Sequence, residues 1–175
     1  PIFLQQNPDF FINVNVSAKQ LERPDFCRVV LELLDKTEFP VRHLCLEITE
    51  RCRSLPVSVI NERMAVLRGY GIKFAMDDFG TGSSSSAMAL EMLIDEIKID
   101  MSFIRKILVN KKNKAIVQSM VDFANAANIK SCLEGVENKA LEDYLRTVGA
   151  TWFQGYYYSK PVGADELEIL LSAKK

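Results

Sequence analysis

The chain has 175 residues, 48% of them apolar and 26% charged, with a formal net charge of −1. That length supports one sizeable buried core, and the near-neutral balance excludes a general DNA or RNA binder, which would show a basic excess. No apolar run is long enough to span a membrane, so no membrane contact is expected of this region, although a parent protein could be membrane-tethered.

FFINVNVS (10–17) predicts a first strand. A helix is expected from about Arg23 to Lys36, with Phe26, Val29, Val30, Leu33 and Leu34 on one apolar stripe. HLCLEIT (43–49) is a second strand, followed by a helix over Pro56 to Gly69 with Ile60, Met64 and Leu67 at helical spacing. IKFAMDDF (72–79) is a third strand, then comes a Gly/Ser loop and a short helix near Ala87 to Leu93. DEIKID (95–100) is a fourth strand. One long helix ends near Asn125, with Ile116, Val117, Met120, Val121 and Ala124 inward. NIKSCLEGV (128–136) is a fifth strand, Lys139 to Val148 a helix, TWFQGYYYS (151–159) a sixth strand, and a last helix starts at Ala164.

Strict strand–helix alternation calls for an α/β fold with a parallel sheet, either open and doubly wound or closed into a (β/α) barrel. The polar residues decide between them. Asn15, Glu47, Asp77 with Asp78, Glu134 and Gln154 stand at or near strand C-terminal ends, and the remaining strand adds Lys98 and Asp100. A barrel gathers all its strand ends around one mouth, whereas an open sheet concentrates function at one switch point. A TIM-barrel-like fold is therefore expected. A full barrel has eight strands and only about six units are legible, so residues 1–175 are expected to form a single partial domain, incomplete at the N-terminus.

Asp77 and Asp78 are adjacent carboxylates at a strand end, costly to bury unless a cation compensates them, and hard oxygen ligands suit Mg²⁺ or Mn²⁺. A capped turn explains the pair equally well. Glu47 is flanked by apolar residues and must face solvent or a polar barrel centre. Asn15 offers a neutral amide oxygen, and Asn13 on the same face is its rival. Lys98, between Ile97 and Ile99, can meet phosphate oxygens or a metal-bound water, or lie outward under a helix. Glu134 and Glu137 can each act as base or ligand. Gln154 before Gly155 can contact substrate or backbone. The Gly/Ser loop 80–86 is no Walker loop. His43, the sole histidine, sits at a strand start, so a histidine triad is not expected. Of four cysteines none forms Cys-x-x-Cys. Cys45 and Cys132 are expected to pack as small hydrophobes, and a reducing, cytoplasmic setting follows. The residues alone thus indicate a metal-dependent hydrolase or lyase for a phosphorylated or carboxylated substrate.

In order, INVNVSAKQL, LEITE, MDDFGTG followed by SSSS, IKID, LEGVE and QGYYYSKP resemble the EAL family of bacterial cyclic di-GMP phosphodiesterases, from about Asn13 to Pro161. The resemblance implies a (β/α) barrel holding Mg²⁺ or Mn²⁺ at its mouth, with Asn15, Glu47 and Asp77 as ligands and Asp78 serving a second ion. It implies that Lys98 holds a catalytic water or phosphate oxygen, that Glu134 is the general base or helps position that water, and that Glu137 and Gln154 complete the site. Glu50 would anchor the DDFGTG loop, whose following helix helps form a homodimer. The implied reaction is hydrolysis of cyclic di-GMP to linear pGpG. The tripeptide Glu-Ala-Leu, which carries another ligand in the family, does not occur in the 175 residues, and Ser83 stands where many relatives have Tyr. A weak or inactive enzyme is therefore expected of this truncated form, and the alternative is a catalytically silent domain that binds cyclic di-GMP or a protein partner.

Overall fold

The computed structural model describes residues 10–49, 55–82 and 85–172. They form β1 (Ile12–Val16), α1 (Ala18–Glu22), α2 (Phe26–Thr37), β2 (Leu44–Thr49), α3 (Val57–Gly69), β3 (Lys73–Phe79), α4 (Ser85–Glu91), β4 (Glu96–Ile99), α5 (Met101–Ile104), α6 (Lys111–Ala126), β5 (Lys130–Glu134), α7 (Lys139–Leu145), β6 (Trp152–Gln154) and α8 (Ala164–Ser172). All six strands are parallel and pair in chain order, β1 to β6.

The sheet is curled. In a flat six-stranded sheet the outer strands would stand roughly 24 Å apart, five spacings of about 4.8 Å. Instead Phe11, just before β1, meets Trp152 of β6 edge to face with ring centroids 5.1 Å apart. The two sheet ends thus approach each other across the concave side, giving a partial (β/α) barrel. Lys73 Nζ lies 5.4 Å from the Phe11 centroid and adds to this aromatic floor.

The main core lies between the convex face and the helices. Phe74, Met76, Ile97, Ile99 and Leu133 on the strands are buried, as are Ile60, Met64 and Leu67 of α3, as their spacing predicts. In α6, Val117, Val121 and Ala124 are buried, but Ile116 is 41% exposed. In α2, Phe26 and Leu34 are buried while Leu33 is 55% exposed. The α2 stripe is wider than its cover: beyond it, a groove of about 680 Å³ opens beside the outward residues Ile12 and Val14 of β1.

Local chemistry explains where the elements differ from expectation. Ser17 ends β1 early by forming a capping box with Gln20, which starts the additional helix α1. The long helix expected after β4 is split: Asp100 caps α5 through Ser102 N, and Asn110 caps α6 through Lys112 N. The sixth strand stops at Gln154. The chain then turns around the end of β5, with Tyr157 N donating to Val136 O at 3.0 Å, and leaves Tyr156, Tyr157 and Tyr158 exposed.

Candidate active site

Alternation along a strand sends every second side chain to the same face. On the concave face this brings Glu47 of β2, Asp77 of β3, Lys98 of β4 and Glu134 of β5 together at the C-terminal end of the sheet. Lys98 is their hub. Its Nζ lies 2.8 Å from Glu47 Oε1, 2.8 Å from Glu134 Oε1 and 3.4 Å from Asp77 Oδ1. Lys98 is only 4% exposed and Glu47 5%. The inward alternative for Lys98 therefore holds, and the outward position under a helix does not.

Burial alone would push the Lys98 ammonium towards its neutral form. Hydrogen bonds to Glu134 and Glu47 outweigh that and raise its pKa, so Lys98 stays charged. Burial also raises Glu134, and Lys98 only partly offsets it. One ammonium faces three carboxylates, a surplus of negative charge in a sheltered place. Among the described residues, no three Asp, Glu, His or Cys side chains already stand as a ligand set. Lys98 lies among the carboxylates and supplies their positive charge. Hard oxygens with surplus negative charge fit a divalent cation of the Mg²⁺, Mn²⁺ or Ca²⁺ kind.

The adjacent pair Asp77–Asp78 divides its work. The β3–β4 register shifts between Met76 and Phe79, and Asp78 takes a left-handed backbone with φ of 54°. Asp77 reaches Lys98, whereas the Asp78 carbonyl accepts from Thr81 N and Oγ1 at 3.2 and 2.9 Å. Asp77 thus faces the Lys98 cluster, and the turn reading describes the Asp78 backbone.

Asn15 pairs in register with Glu47 but is exposed at the end of β1. Asn13, one pleat below, is the amide that contacts Glu47, with Nδ2 donating to Oε1 at 2.6 Å. Gln154 pairs in register with Glu134 and is exposed, as is Glu137 in the loop after β5. Glu50 and Ser83 lie outside the described residues. Asp100, expected near the mouth with Lys98, serves as the α5 cap. His43 is fully buried, its Nδ1 bonded to Phe10 O, away from the cluster. Cys45 and Cys132 are buried free thiols whose pKa values burial drives up, so they behave as inert packing groups.

Two participants do not stand out in the sequence. Asn13 reads there only as a rival to Asn15. Glu96 lies among ordinary polar residues at a strand start, yet it is 4% exposed on the same face as Lys98, and burial pushes its pKa up to about 7. Its two-residue spacing from Lys98 is the signal that could have found it.

The EAL domain sequence model matches residues 3–161. Over 170 residues the chain is 36% identical to the probable cyclic di-GMP phosphodiesterase PdeG of Escherichia coli, covering 95% of this chain and 33% of that protein. In structure it superposes on the EAL enzyme Bd1971, solved with cAMP and cyclic di-GMP bound, at a TM-score of 0.90 and 33% identity, covering 97% of this chain and 46% of that one. The Klebsiella pneumoniae protein BlrP1, solved as a manganese and cyclic di-GMP complex, gives a TM-score of 0.80 and 27% identity over 91% of this chain and 41% of that one. The chain thus spans about a third of PdeG and less than half of either solved chain. The motif series and the curled parallel sheet agree with these matches: the chain belongs to the EAL domain family.

Proposed function

We propose that residues 1–175 belong to one EAL-type domain that hydrolyses cyclic di-GMP to linear pGpG with Mg²⁺ or Mn²⁺. The observation that carries this reading is the buried cluster in which Lys98 joins Glu47, Asp77 and Glu134 at the strand ends. Glu47 and Asp77, with Asn15 beside them on β1, are the groups that would hold the cation, and Asp78 would serve a second one. Bound there, a divalent cation offsets phosphoryl charge and makes water a better nucleophile. The chain's own residues do the rest. Glu134, its proton affinity raised by burial, accepts the proton of the attacking water. Lys98 holds that water in line with the breaking P–O3′ bond, or binds a non-bridging phosphoryl oxygen and offsets its charge. The freed 3′ oxygen takes a proton from solvent. Gln154 and Glu137 border the mouth and contact the nucleotide, and Glu50 anchors the DDFGTG loop that supports a homodimer.

A second reading is favoured by one observation: Lys98 already meets the three carboxylates, and no ready ligand set stands beside it among the described residues. In that reading the domain binds cyclic di-GMP or a protein partner without cleaving it. One experiment separates the two. The chain is incubated with cyclic di-GMP and either Mg²⁺ or Mn²⁺, products are resolved by chromatography, and binding is followed by calorimetry. Slow formation of linear pGpG that Glu134→Gln lowers by about 10²–10⁴-fold supports the enzyme. Binding without product supports the silent nucleotide-binding domain, and neither binding nor product rejects both the enzyme and that nucleotide-binding form, leaving the protein-partner form of the second reading.

A further inference from the structure

The concave face of β1 carries two amides, Asn13 and Asn15, in register with Cys45 and Glu47 of β2. Of the two, the family resemblance gives a part in the site only to Asn15. Yet Asn13 is the amide that reaches Glu47. Its Nδ2 donates to Glu47 Oε1 at 2.6 Å, and the same oxygen accepts from Lys98 Nζ at 2.8 Å. Two donors from different strands converge on one carboxylate oxygen, which leaves the Glu47 side chain little freedom to rotate.

The other end of the Asn13 amide is unusual. Oδ1 is buried and has no hydrogen-bond partner among the described residues. A buried acceptor left unpaired forfeits its hydration without a compensating hydrogen bond. Turning the amide over would not relieve this, because Oδ1 would then face Glu47 Oε1, two acceptors in contact. Asn is also a poor strand residue. A valine or threonine at position 13 would suit the strand better and leave no orphan, so packing and β-propensity do not account for the amide. What it supplies is an N–H directed at Glu47.

We propose that Asn13 is a positioning residue for the reaction: its amide N–H holds Glu47 in the orientation from which that carboxylate meets the divalent cation. The inference rests on the metal-dependent reading above. It separates the roles of the two amides, Asn15 standing at the mouth as an oxygen donor and Asn13 acting one pleat deeper through Glu47.

The test is Mn²⁺ titration of the 175-residue chain, with free Mn²⁺ followed by electron paramagnetic resonance. Asn13→Ala removes the donor. Asn13→Thr is favoured on a strand, and its hydroxyl sits too close to the backbone to reach Glu47. Both are expected to weaken Mn²⁺ binding by about 10–100-fold, the usual effect of losing a group that orients a ligand. Glu47→Asp shortens the carboxylate and breaks the Asn13 contact while keeping a ligand, so adding Asn13→Ala to it should change affinity by no more than about twofold. Wild-type affinity in both single variants overturns the proposal. So does an equal loss from Asn13→Ala in the Glu47→Asp background, because Asn13 would then act by another route. A wild-type chain that binds no Mn²⁺ overturns the metal-dependent reading and this inference together. Intact wild-type binding with unaffected variants removes the inference alone. Far-UV circular dichroism identifies a misfolded Asn13→Ala, in which case Asn13→Thr decides.

Discussion

Glu96 shows how a single buried carboxylate ties this fold to pH. It lies two residues before Lys98 on the concave face and is 4% exposed. Burial pushes its pKa up to about 7. Lys98 opposes the shift, Glu47 and Glu134 reinforce it, and Lys73 opposes it. In the unfolded chain the same group titrates near 4.5. Between those values the folded state holds the extra proton, so stability falls as pH rises from about 4.5 to about 7 and stays lowered above that. The full loss is on the order of 3 kcal/mol. Glu96→Gln keeps the shape and removes the titration. It is expected to raise the urea midpoint clearly at pH 8 and much less at pH 5, and an equal effect at both pH values would contradict the shift. Lys98 behaves oppositely. Its removal leaves Glu47, Asp77 and Glu134 facing one another in a sheltered site, and breaking a buried pair on one side costs about 3–5 kcal/mol. Lys98→Met should therefore lower urea stability by that order as well as activity, and a variant as stable as the wild type would show that the cluster does not need its cation.

At the scale of elements, two glycines make opposite predictions. A Cβ on Gly155 would lie 2.1 Å from Val136 O and 2.3 Å from Val136 N, both backbone atoms of the β5–α7 loop. That loop cannot move aside without disturbing Val136 N, which donates to Gln154 O at the end of β6. Gly155→Ala is expected to destabilise by about 1–3 kcal/mol. Gly69 ends α3, and a methyl group added there would meet nothing within 4 Å, so Gly69→Ala should stabilise by about 0.4–1 kcal/mol. Thermal unfolding of both variants checks the pair. The same loop geometry explains what is legible in the sequence and what is not. The run TWFQGYYYS carries strand-forming residues, but the strand ends at Gln154 because Gly155 packs against Val136, a contact distant in sequence. The α3 helix is legible in full because Ile60, Met64 and Leu67 are all covered by the sheet. Leu33 of α2 is misplaced by its periodicity, which identifies an apolar face without saying how wide its cover is. Within the cluster, Glu47, Asp77, Lys98 and Glu134 are legible as polar residues interrupting apolar strands. Asn13 and Asn15 cannot be ranked from the sequence, since alternation puts both on one face and only the fold shows which reaches Glu47.

For the molecule as a whole, the site exists only while the sheet stays curled. Glu47, Asp77 and Glu134 sit on three different strands, and Lys98 meets them all because the concave face is narrow. The contact that closes this curvature lies at the opposite end of the same face, where Phe11 meets Trp152 across the two outer strands. An edge-to-face aromatic pair contributes about 0.5–1.5 kcal/mol beyond the area it buries. It links residues far apart in sequence, so it forms only when the intervening strands are in place. Trp152 is the sole tryptophan, which makes its fluorescence a direct report on that closure. If the curl and the sheet are one cooperative unit, urea unfolding followed by Trp152 emission and by far-UV circular dichroism should give superimposable transitions. Phe11→Ala should then shift both to lower urea together and weaken Mn²⁺ binding at the far end of the face, because a flatter sheet separates the carboxylates from Lys98. A tryptophan transition that precedes the loss of secondary structure would show instead that the outer strands part while the sheet persists, and that Phe11 and Trp152 do not set the geometry of the site.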